Sequence, residues 1–203
     1  MIGKLDPYVL LISIPAVLWA ISFHEFCHGY AAKLLGDNTA ERAGRLTLNS
    51  LKHLDPIGAL MLLFVGFGWA KPVPVDSRYF RNVRRDMIIV SIAGIVGNLL
   101  TAFVFAVIFR YFSLSALGSA GILFFQRMII LNVGLAAFNI LPIPPLDGSK
   151  ILYGFTPFKW IKYYYFLERY GSIILLVLVF TGFTGYLMRP IMMFFLQLVT
   201  FYY

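Results

Sequence analysis

Residues 8–33 form an apolar run that, as a helix rising about 1.5 Å per residue, is long enough to cross about 30 Å of hydrocarbon, and "HEFCH" sits inside it at positions 24–28. This pattern constrains the fold twice. The segment must be helical, because a spanning backbone finds no water for its N–H and C=O groups. Its His24, Glu25 and His28 must face protein or a cavity, since an ionisable side chain at the bilayer centre costs about 2.5–3.5 kcal/mol on insertion scales.

Composition extends this to the whole chain. It is 60% hydrophobic and 13% charged, with a mean hydropathy of +0.82. Soluble domains have about 45–50% apolar and about 25% charged residues. The 203 residues are expected to form a single membrane-embedded domain, 1–203, in contact with a lipid bilayer. The N-terminal run lacks a small-residue cleavage site, so it is read as a retained first helix. Cys27, the one cysteine, allows no internal disulfide. The net charge of +8 does not point to nucleic acid, because no basic stretch is interleaved with aromatics on a polar surface. Excess Lys and Arg in a membrane protein marks cytoplasmic loops.

Three further spans are expected, at 87–109, about 122–141 and 170–188. Segment 57–70 is apolar but short, which suits a re-entrant or interfacial element. "GRLTLNS" alternates and predicts a short strand pair, and "KPVPVDS" reads as an extended segment or edge hairpin. A polar and aromatic connection with a short helix is expected over 143–169, and a short apolar tail over 190–203. The expected fold class is therefore an all-α polytopic membrane protein. It is a helical bundle of about four to six membrane segments with a small β-hairpin or re-entrant element.

If segment 57–70 returns to the side it left, regions 33–56, 71–86 and 143–169 share one face. That face holds all of the 17 Lys and Arg residues except Lys4, Arg110, Arg127 and Arg189. By the positive-inside rule it is cytoplasmic. If the segment crosses instead, the basic loops divide between the faces.

H-E-x-x-H on a helix places two imidazoles on one face, one turn apart, where both reach one zinc ion. The intervening Glu25 is placed to take a proton from a water activated by that ion. A catalytic zinc takes three protein ligands and keeps one open position. Most remaining acids lie in basic, polar loops. Asp147 differs, because it follows an apolar span and the proline-rich break "LPIPPLDG". Two readings of it stand: third ligand, or N-cap of the helix beginning "GSKILYGF". In the non-crossing topology the spans carrying the histidines and preceding Asp147 run parallel. All three residues then reach similar depth near the cytoplasmic face.

The quoted residues resemble the site-2 protease family, intramembrane zinc metalloproteases, in its compact prokaryotic form. The resemblance covers most of residues 20–155 and rests on "HEFCH", "GRLTLNSLKHLDPIG", "GWAKPVPV", "AGIVGN" and "NILPIPPLDG". The last fits the family pattern N-x-x-P-x-x-x-L-D-G. The chain departs from the family pattern at Ile95, where proline is frequent, and at Asn49-Ser50, where the family reads Leu-Asn-Pro. The resemblance implies that His24, His28 and Asp147 bind one zinc ion per chain and that Glu25 is the general base of a zinc metalloendopeptidase. It implies a multi-pass protein of a prokaryotic cell membrane, with its active site toward the cytoplasm, that cleaves a single-span membrane protein.

Asn139 matches the family asparagine, a donor to substrate or oxyanion, or an interhelical hydrogen bond; Asn98 is a similar case. His53 is expected beside the site, supporting it, or structural in its loop. A homo-oligomer is compatible with the sequence. Neither a PDZ-like insertion between the spans nor a nucleotide-binding CBS module is expected. "GWAKPVPV" suggests an edge strand at the membrane surface that pairs with an unwound substrate. Two other classes use the same ligands. A zinc transporter would need no base at Glu25, and a catalytically dead scaffold would be expected to have lost ligands.

Overall fold

The computed structural model describes residues 6–58, 61, 68–111 and 118–201. Its helices are α1 (Pro7–Leu34), α2 (Thr39–Arg42), α3 (Val83–Tyr111), α4 (Gly118–Asn139), α5 (Asp147–Phe155), α6 (Ile161–Phe180) and α7 (Phe183–Thr200). Short 3-10 turns occupy Ser50–Lys52, Ser77–Tyr79 and Phe158–Trp160. Among the described residues, four segments are long and apolar enough to cross a membrane: Pro7–Leu34, Val83–Tyr111, Gly118–Asn139 and Phe158–Phe180. The protein is an all-α, multi-pass membrane protein.

The first three spans stand in register through polar contacts in an apolar interior. Trp19 of α1 donates to the Thr101 hydroxyl of α3, His24 meets Asn98, and His28 meets the Val90 carbonyl. Rising numbers on α1 pair with falling numbers on α3, so the two helices are antiparallel. Asn98 also meets Asn132 of α4, and Phe105 packs on Phe125, so α3 and α4 are antiparallel as well. Helices α1 and α4 therefore run parallel, as the placement of Asp147 requires.

Most of the expected re-entrant segment 57–70, namely residues 59–60 and 62–67, lies outside the described residues. Its two ends meet. Lys71 N–H donates to the His53 carbonyl at 2.9 Å, and Leu54 and Ala70 form an isolated antiparallel bridge. Residues 53–54 and 70–71 thus lie on one side, in agreement with the antiparallel α1 and α3.

Two expectations are corrected. The strand pair at "GRLTLNS" and the hairpin at "KPVPVDS" are absent: among the described residues there is no strand, only the Leu54–Ala70 bridge. The physical reason lies in residues 71–76. Pro72 and Pro74 have no N–H to donate to a ladder, while the N–H groups of Val73 and Asp76 bond to carboxylate side chains. The segment is therefore not a ladder strand. The fourth span is also shifted. Residues 170–188 are divided between α6 and α7, which meet at Thr181–Gly182 with Gly182 in the left-handed region at φ 75°.

Small residues let the helices approach. Ala102 and Ala106 of α3, Ala136 and Ala137 of α4, and Phe195 and Val199 of α7 share the main core with Ile95, Ile129 and Val133. After α4 the chain breaks over residues 140–146. Gly148 then lies so close that a Cβ there would collide with the Ile140 and Leu141 carbonyl oxygens. Gly171 of α6 admits Pro144 in the same way. The break is thus clasped from both sides, which orients Asp147 at the first turn of α5.

The topology is open to a direct test. With Cys27→Ser as background, Leu54→Cys and Ala70→Cys should form a disulfide on mild oxidation, since bridge partners lie within the Cα spacing a disulfide needs. A crossing segment 57–70 would leave the two thiols on opposite membrane faces and uncrosslinked.

Candidate metal centre

His24 and His28 occur four residues apart on α1, and both are buried. Each imidazole is held by its Nδ1. His28 Nδ1 lies 2.7 Å from the Val90 carbonyl oxygen, which only accepts, so Nδ1 carries the proton. His24 Nδ1 lies 2.7 Å from Asn98 Oδ1. The orientation of that amide is set by its other end, where Nδ2 donates to the Ala20 carbonyl at 3.0 Å and to Asn132 Oδ1 at 2.9 Å. Asn132 is oriented in turn, because its Nδ2 donates to the Met128 carbonyl at 2.7 Å. The chain of amides ends on backbone carbonyls, so Asn98 presents oxygen to His24 and His24 Nδ1 is protonated.

In the neutral rings both Nε2 atoms therefore carry lone pairs. They stand 2.9 Å apart. Asp147 Oδ2 lies 3.1 Å from His24 Nε2 and 3.0 Å from His28 Nε2, and no donor reaches this buried oxygen. Three acceptors converge with no proton among them. One added proton would satisfy a single contact of the three, whereas a divalent cation satisfies all of them. Among the described residues, His24, His28 and Asp147 form the group of ligating side chains whose donor atoms lie within 4.8 Å of one another. Two imidazoles and a carboxylate match the donor set that zinc accepts in catalytic sites.

Space for the rings comes from α3. A Cβ on Gly94 would stand 2.5 Å from His28 Nε2 and 2.7 Å from His24 Cε1, so glycine is required there. Cys27 points elsewhere, with Sγ 2.5 Å from the Cβ position of Gly97. Asp147 does not cap α5. It lies inside the first turn, after the backbone N-cap Leu146, with its second oxygen 3.5 Å from Lys150 Nζ. Of the two readings of Asp147, the structure retains convergence on the histidines.

Glu25 is one position from His24, half-buried, and its Oε2 accepts from the Val73 N–H at 2.7 Å. Asn98 does not face open space as a substrate donor would; it backs His24. Asn139 donates to the Leu135 carbonyl of its own helix at 3.0 Å, with no bond to the three converged residues. His53 is fully buried and bonds to the Thr47 carbonyl through Nε2 at 2.8 Å; it organises its loop and touches none of the three. Asn132 and Gly94 were missed in the sequence. An Asn in the middle of an apolar span is a legible signal for the first.

A multi-pass bundle with two histidines and a carboxylate buried and converged within it has the layout of a membrane metalloenzyme. Comparison with known proteins agrees. Residues 114–183 match the model of peptidase family M50. "Putative zinc metalloprotease YwhC" of Bacillus subtilis is 40% identical over 195 residues, 93% of this chain and 87% of that protein. "Putative zinc metalloprotease MJ0611" of Methanocaldococcus jannaschii is 33% identical over 155 residues, 75% and 74% of the two chains. "Putative zinc metalloprotease Rip2" of Mycolicibacterium smegmatis is 32% identical over 151 residues, 71% and 57%. No solved structure matches the chain. The chain belongs to peptidase family M50, the site-2 protease family, and is a membrane zinc metalloprotease.

The amide relay has a measurable consequence. Asn98→Ala should weaken zinc binding about 10–100-fold, the range for partners that orient a ligating histidine, and Asn132→Ala should weaken it less. Competition with a fluorescent chelator measures both. Wild-type affinity in Asn98→Ala would show that His24 needs no such partner.

Proposed function

We propose that the protein is an intramembrane metalloendopeptidase that hydrolyses a peptide bond within or near the transmembrane segment of a membrane protein, the reaction of regulated intramembrane proteolysis. The observation that carries this reading is the convergence of His24, His28 and Asp147 inside the bundle, one residue from Glu25. His24, His28 and Asp147 would hold one zinc ion per chain, which would supply a Lewis acid for the scissile carbonyl and lower the pKa of a water to about 7.

Glu25 serves as the general base. With Oε2 occupied by the Val73 N–H, Oε1 is the oxygen left to accept the proton of the attacking water. The same carboxyl then returns the proton to the leaving amine as the C–N bond breaks, so the carboxylate is regenerated. Burial of the site keeps competing water away from the reacting groups.

A helical substrate hides its scissile carbonyl in its own hydrogen-bond ladder, so it must unwind. Residues 71–76 support a docking edge for the unwound stretch. The Val75 N–H, two positions beyond the Val73 N–H that meets Glu25, has no partner among the described residues. Strand addition there would lay a single-span substrate beside the base. The clustering of Lys and Arg in the loops at this end of the bundle supports an orientation toward the cytoplasm of a prokaryotic cell.

Co-expression with a panel of single-span membrane proteins tests the reading. The wild type should produce a substrate fragment that Glu25→Gln does not, while the variant still holds about one zinc per chain, because Glu25 is not a ligand. A fragment that persists with Glu25→Gln would remove the protease assignment for that substrate.

A further inference from the structure

The hydrogen bond between Val73 N–H and Glu25 joins the base to a segment of chain 48 positions away, and beyond the Lys71 N–H bond to the His53 carbonyl residues 71–76 have no ladder to hold them. What keeps that amide in place is visible at both ends of the segment. At its start, the Arg45 guanidinium donates to the carbonyls of Lys71, at 2.8 Å, and Pro72, at 3.2 Å. At its end, the Asp76 N–H donates to Asp37 Oδ2 at 2.7 Å. Asp37 is fully buried, and its other oxygen accepts from the N–H of Thr39 at 2.9 Å and from the Thr39 hydroxyl. No Lys or Arg pairs with it among the described residues, so three hydrogen bonds compensate its burial. Two of those bonds are local to the end of α1; the third reaches across 39 positions to residues 71–76.

The middle of the segment is seated by shape. Glu25 and Gly29 share a face of α1, one turn apart. A Cβ on Gly29 would stand 3.2 Å from Val73 Cγ1, so its absence lets the Val73 side chain rest on the helix with its amide directed at Glu25. Pro72 and Pro74 flank Val73 and restrict the backbone on both sides.

We propose that Asp37 and Arg45 are positioning residues for catalysis. They tie down residues 71–76 from opposite ends, so that the Val73 N–H holds the Glu25 carboxylate at the angle at which Oε1 meets the attacking water. This rests on the assignment of Glu25 as base. It assigns a function to two charged residues outside the metal site, and it makes residues 71–76 part of the catalytic apparatus as well as a docking edge.

The test uses the full chain, solubilised in detergent, with a substrate that the wild type cleaves and Glu25→Gln does not. Asp37→Asn keeps an oxygen for the two Thr39 donors but turns an amide –NH2, which only donates, toward the Asp76 N–H. Arg45→Met removes both donors at the other end, and Arg45→Lys keeps a donor there. Asp37→Asn and Arg45→Met should each lower kcat at least about tenfold, as loss of a partner that orients a functional group does, with KM and zinc content unchanged. Arg45→Lys should recover most of the rate. If Asp37→Asn fails to fold or to hold zinc, Arg45→Met decides. Wild-type kcat in Arg45→Met, or a rise in KM with kcat unchanged, overturns the proposal and leaves Glu25 as base untouched. Cleavage by Glu25→Gln overturns that underlying assignment instead.

Discussion

Three acceptor atoms pushed together inside a membrane protein are the constraint on which the rest of this structure depends. Lone pairs on His24 Nε2, His28 Nε2 and Asp147 Oδ2 stand 2.9 to 3.1 Å apart. Left to themselves they repel, and burial removes the water that would relieve them. Their approach is enforced from outside the cluster. Val90 and the Asn98–Asn132 relay hold the rings by their far nitrogens, Gly94 opens the space, and the clasped break at residues 140–146 delivers the carboxylate. A fold that spends so much of its buried polar capacity on holding acceptors together is organised around a cation.

The same constraint selects the topology. One ion cannot be reached by the ends of two antiparallel spans at opposite faces, so α1 and α4 must run parallel, with α3 between them in the opposite sense. The basic loops, the paired ends of segment 57–70 and the contacts along α3 each lead to that arrangement independently. Agreement among unrelated signals is what a sequence that specifies one structure shows.

Much of this was legible in the sequence, for identifiable reasons. H-E-x-x-H announces itself because helical periodicity converts a spacing of four into a shared face. Asp147 stands out because an acid after a proline break at the end of an apolar span has few ordinary explanations. The spans follow from length and hydropathy. The misses have causes too. "GRLTLNS" alternates as a strand does, but alternation says nothing about whether a partner edge exists, and the prolines at 72 and 74 deny it one. The span expected at 170–188 failed because hydropathy does not register a turn made by two small residues within an apolar run. The roles of Asn98, Asn132, Asp37 and Arg45 depend on contacts between residues tens of positions apart, which no local pattern reports.

The central claim is that this donor set holds the metal, and X-ray absorption at the zinc edge tests it most directly. The account predicts a first shell of nitrogen and oxygen alone, at about 2.0–2.2 Å, with an imidazole signature from two histidines that persists in Cys27→Ser and collapses in Asp147→Ala. Sulfur at about 2.3 Å from the metal, or a shell unaltered by Asp147→Ala, would contradict it.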